Sequence, residues 1–149
     1  MTNSHDNDQM RPAVITCDGF LGTDDRPVEE IIRADDGTVK KIGLTHRAIA
    51  ERMEYFSREA KKGLGEFVRL EPHFEAACEM ARGFLSCPFG EPGKHRKAVV
   101  TLRNLRQKKE VIFSGLNVHL IAEHGFYEGK GSCFRLDPEE LAKVLEIGG

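Results

Sequence analysis

Apolar residues along this chain fall into short runs of two different periods, and the switches between periods mark the elements. Ile49, Met53, Phe56 and Ala60 recur at spacings of four, three and four, which places them on one face of a helix. Thr45 stands where its hydroxyl caps that helix, and Gly63 and Gly65 end the pattern. Upstream, Asp24-Asp25, Pro27 and Glu29-Glu30 predict the start of a short helix with Pro27 in its first position. Proline loses no needed N–H there, and carboxylates suit the positive end of the helix. Val28, Ile31 and Ile32 form its inward stripe.

Elsewhere the period is two. Val14 to Cys17 is a β-branched run stopped by Asp18-Gly19, which predicts a brief strand or an extended lead-in. Phe67, Val68, Arg69 and Leu70 alternate as a strand over residues 66–70. Phe74, Ala76, Cys78 and Met80 also alternate, with Glu75 and Glu79 on the other side. The Ala and Glu content of that segment favours helix, but its position between Pro72 and Gly83 makes it a hairpin partner for residues 66–71, and strand is the expectation.

Residues 97–105 and 110–113 are β-rich runs joined by the polar residues 106–109, a hairpin signal. The period then changes. Ser114 precedes Leu116, Val118, Leu120 and Ile121, a compact helix that Gly125 closes as a left-handed residue. A glycine-rich loop, residues 125–132, leads to a last helix capped by Asp137, with Pro138 first and Leu141, Val144 and Leu145 inward. These elements predict an α+β fold: a small antiparallel sheet of three to five strands covered by about four helices, with a hairpin-helix unit in the C-terminal half. Residues 1–11 read as a disordered polar tail, and residues 12–149 as a single α+β domain.

Composition narrows the classes. With 149 residues, 40% apolar and 31% charged, the chain has enough apolar surface for its own core. The four cysteines are dispersed, which argues against a disulfide framework. The first eleven residues have neither the basic nor the apolar region of a secretory signal, and no apolar run approaches the roughly 18 residues of a membrane span. The expectation is a cytoplasmic protein with no membrane contact. A net charge of -2 gives no overall bias toward nucleic acid. Charge is nonetheless uneven: residues 1–37 carry nine acids against three arginines, whereas residues 91–113 carry seven lysines and arginines against two acids.

The most specific chemical pattern is Cys87-Pro88-Phe89-Gly90, then His95, then the hairpin, then His119 and His124 at the end of the following helix. A thiolate and imidazoles suit tetrahedral zinc. The order of turn, hairpin and helix, ending Leu-x2-His-x4-His, resembles a degenerate treble-clef or ββα zinc unit, with Gly90 where such units place a second cysteine and His95 in its stead. That resemblance implies zinc as the cofactor and Cys87, His95, His119 and His124 as ligands. Residues five apart on a regular helix are separated by about 140°, so the helix must deform near Gly125 for both imidazoles to converge. Without metal, His119 packs at the sheet surface and His124 sits at the negative end of its helix.

Other patterns are weaker. The loop from Gly125 to Ser132 has three residues, not four, before its Gly-Lys pair and follows a helix, so it is no P-loop; its glycines serve a loop with an aromatic anchor. Residues 43–53 resemble the first helix of a helix-turn-helix, but no turn follows. Lysines at a hairpin tip either contact phosphates or keep strand edges from pairing. Cys87 or Cys133 with His119 or His124 is the only nucleophile-base combination in view. The leading expectation is a non-catalytic binding or regulatory domain. Residues 94–109, with Lys108 and Lys109 at the tip, and the loop residues Lys130 and Ser132 would meet an acidic protein or nucleic-acid phosphate. A structural zinc site is the alternative and a cysteine-histidine enzyme a further one.

Overall fold

The computed structural model describes residues 21, 23–85, 89, 95–132 and 134–147. The tail 1–11 and the expected strand 14–17 lie outside the described residues. Among the described residues the order is α1 (Val28–Lys41), α2 (His46–Lys61), β1 (Val68–Leu70), β2 (Phe74–Leu85), β3 (His95–Asn104), β4 (Lys109–Ser114), α3 (Gly115–His124) and α4 (Pro138–Leu145). The strands form one antiparallel meander in the order β1-β2-β3-β4, so the architecture is α+β.

Helix starts follow local chemistry. Thr45 accepts from the Ala48 N–H at 3.0 Å, Asp137 accepts from Glu140 at 3.1 Å, and Ser114 forms a reciprocal capping box with Asn117. Gly125 closes α3 at φ 62°. Helix α1 differs from expectation: it is 14 residues long rather than short, and Pro27 is its cap rather than its first residue. Gly37 does not stop it, because Val28, Ile31, Asp35 and Val39 all lie on the buried side. Their burial outweighs a glycine cost of about 1 kcal/mol.

Residues 74–85 are strand, with β1 on one side and β3 on the other. Pairing on both edges overrides the helical preference of the Ala and Glu residues. Strand β1 is shorter than residues 66–70, and the β3-β4 turn falls at 105–108, one residue early, with Lys108 at φ 56°. Phe74, Ala76, Cys78, Ala98, Val100, Leu102 and Phe113 line the inner sheet face and are buried under α2, α3 and α4. A second cluster joins Leu21, Val28, Ile31, Leu116, Leu120 and Phe126. No helix among the described residues is long and apolar enough to cross a membrane.

Candidate functional site

The end of α3 carries the first set of groups. The His119 and His124 rings lie 5.6 Å apart between centroids, near perpendicular, so the two imidazoles do meet despite their separation of five residues. Phe89 stacks on His124 at 4.2 Å and meets Phe126 edge-on at 5.6 Å. His95 opens β3 opposite Leu85, the last residue of β2, so Cys87 falls within residues 86–94, which join these strands. Cys87 itself lies outside the described residues, as does Cys133. Among the described residues no three His, Cys, Asp or Glu side chains are gathered as metal ligands. Cys78 is buried, and burial pushes its thiol up, the opposite of an activated nucleophile.

The glycine-rich loop is organised around a carboxylate that periodicity did not single out. Glu128 is 2% exposed at φ 66°. It accepts from the Ser132 hydroxyl at 2.6 Å and from the Asn117 amide at 3.0 Å. Burial drives its carboxyl up to about 7, since desolvation penalises the charged form. Lys130 gives its backbone N–H to Asp24 at 3.2 Å. Asp24 also holds Arg26 through two contacts of 2.8 and 2.6 Å, and that guanidinium keeps its carboxyl well below the usual range. The Ser132 hydroxyl and the Lys130 amide are thus directed at carboxylates of the chain itself. Arg135 fixes the loop from the other side, gripping Asp35 of α1 at 2.6 and 3.0 Å and the Glu128 carbonyl at 2.8 Å.

A carboxylate-imidazole-hydroxyl chain crosses the same region. His46 Nε2 lies 2.9 Å from Asp36 and Nδ1 lies 2.9 Å from the Tyr127 hydroxyl. Tyr127 is fully buried, and burial pushes its phenol above the ordinary value. The triad ties α1, α2 and the loop together; a buried phenol held this way is no nucleophile for an outside substrate. Local sequence does not single out His46, because its partners are 10 and 81 residues away.

Among the described residues, three cations of the basic hairpin are matched by carboxylates. Arg103 lies 3.0 Å from Glu75 and 2.9 Å from Glu110, Arg106 lies 2.8 Å from Glu146, and Lys109 lies 3.4 Å from Glu140. Lys108 forms no ion pair among the described residues. Glu146, in left-handed conformation at φ 57° after α4, is a hub. Its Oε2 accepts from Asn104 at 2.9 Å, Arg106 at 2.8 Å and Gln107 at 3.2 Å, and lies 2.8 Å from His73 Nε2. The Asn104 amide foremost, with His73, Gln107 and Arg106, holds this carboxyl down at about 2.

No protein-family model matches the chain, and no curated protein or solved structure matches it either. The site must therefore be read from its own chemistry.

Proposed function

We propose that this chain is a non-catalytic binding domain whose Cys87, His95, His119 and His124 hold a structural zinc ion where the β2-β3 connection meets the end of α3. The observation that carries this reading is the meeting of the two imidazoles at 5.6 Å, with Phe89 stacked on the second. In the sequence Cys87 stands two residues before Phe89, and that nearness is the reason for including its thiol in the ligand set. One thiolate and three imidazoles satisfy tetrahedral zinc. In such a unit the ion joins a strand connection to a helix end, and its binding free energy adds to folding.

Elemental analysis of protein purified without a metal column tests this. One equivalent of zinc, lost in Cys87→Ser and His119→Gln, together with a melting point that falls on chelation, supports it; zinc-free protein whose melting is unchanged by chelator overturns it. In the same reading, partner contact falls to the tip of residues 94–109, where Lys108 forms no ion pair among the described residues and would face an acidic protein surface. Binding to an acidic polypeptide that weakens with salt and in Lys108→Glu supports that part; binding insensitive to both removes it.

A further inference from the structure

An open cleft of about 560 Å³ lies between the β3-β4 turn, α4 and the α1-α2 connection. Its volume is in the range of small-molecule sites. Ile42, Leu44, Ala142 and Ile147 supply its apolar surface, and Leu44 and Ile147 also pack against the main core. Arg106, Gln107, Lys143, Glu139 and Glu146 supply the polar wall.

The wall carries two cations, Arg106 and Lys143, and two carboxylates, Glu139 and Glu146, which differ in how many of their hydrogen-bonding groups the protein already uses. Glu146 turns Oε2 into the hub of donors from His73, Asn104, Arg106 and Gln107, so its charge is already compensated by groups of the protein. Arg106 spends only its Nη2 on that hub and is two-thirds exposed. Lys143 forms no ion pair among the described residues and is exposed. Gln107, next to Arg106 in the chain, donates to the Lys143 carbonyl at 2.9 Å, so both cations border one hydrogen-bonded junction at the mouth of an apolar surface. The remaining acid, Glu139, lies one turn away on α4, exposed in its first turn, where it complements the helix dipole.

We infer that this cleft binds a small amphiphile bearing one carboxylate, with the carboxylate between Arg106 and Lys143 and the apolar body against Ile42, Leu44, Ala142 and Ile147. The guanidinium donates two parallel N–H groups to such a head group, and the ammonium donates from the other side. The apolar body gains from leaving water. This inference does not depend on the zinc reading, because the cleft is built from other residues.

Calorimetric titration of the full chain with octanoate, octanol and octylammonium tests it. Octanoate is expected to bind saturably at one site, with octanol and octylammonium weaker by about tenfold or more, the value of one charge-assisted contact. Lys143→Gln, which removes the ammonium without placing a carboxylate at the end of α4, should weaken octanoate about tenfold or more in a chain that still melts cooperatively. No saturable octanoate binding, octanol binding as tightly as octanoate, or octanoate binding unaffected by the Lys143 variant would each overturn the inference.

Discussion

The Asn117 side-chain amide donates to Glu128 at 3.0 Å while both groups are buried. Asn117 has no capacity to spare: its oxygen accepts from the Ser114 N–H at 2.8 Å, and its amide also reaches the Phe134 carbonyl at 3.3 Å. One side chain thus joins the start of α3 to the glycine-rich loop and holds a carboxyl away from water.

The Glu128 carboxyl, raised from 4.5 to about 7, binds its proton more tightly folded than unfolded. Its contribution to stability is therefore fully present below 4.5 and is lost as the pH rises through about 7. Glu128→Gln keeps the shape and removes the ionisation. Relative to that variant, the native chain is expected to lose stability on going from pH 4.5 to pH 8, by at most on the order of 3 kcal/mol. Urea unfolding of both proteins across this range measures it; parallel pH profiles would show that Glu128 does not titrate there.

Glu146 has the opposite sign. Its folded carboxyl is lowered from 4.5 to about 2, so its contribution is present above 4.5 and is lost as the pH falls through about 2. Glu146→Gln is expected to cost about 1–2 kcal/mol near neutral pH, with the difference from the native chain shrinking in acid. Urea midpoints at pH 7 and pH 2.5 provide the comparison.

Gly125 combines a left-handed backbone with crowding. A Cβ there would stand 2.9 Å from His46 Nε2, the atom that meets Asp36. Gly125→Ala should therefore destabilise by about 1–3 kcal/mol and displace His46, visible as a changed imidazole resonance by NMR. Unaltered stability together with an unaltered resonance would mean that the clash is relieved without cost.

Ser114 both caps α3 and meets Asn117. Ser114→Ala is expected to cost about 1 kcal/mol from the lost cap, and more where the buried Asn117 oxygen loses its hydroxyl donor. The shift in thermal midpoint measures this, and Thr at the same position should restore part of it.

The α+β class and most elements were legible in the sequence because they follow from local chemistry. Thr45, Ser114 and Asp137 cap helices wherever such helices form, Gly125 is suited to a left-handed end, and the alternation of Phe74, Ala76 and Cys78 between Pro72 and Gly83 favours a strand over the helical preference of the Ala and Glu residues. Helix α1 was read too short, since what carries it past Gly37 is burial against partners that come later in the chain.

Sequence by itself thus determined where the chain turns, which faces are apolar and which residue types are available near residues 87–124. Only the tertiary structure decided which charges find each other. Glu128, Asp35, His46 and Glu146 looked like ordinary polar positions, because the groups that give them meaning, Asn117, Arg135, Tyr127 and Asn104, lie between 11 and 100 residues away. The basic hairpin looked free for the same reason: the carboxylates of Glu140 and Glu146 reach it only after α4 has packed beside the sheet. Local pattern fixes backbone hydrogen bonding within a few residues, whereas ion pairs and buried polar networks depend on three-dimensional proximity and on the exclusion of water.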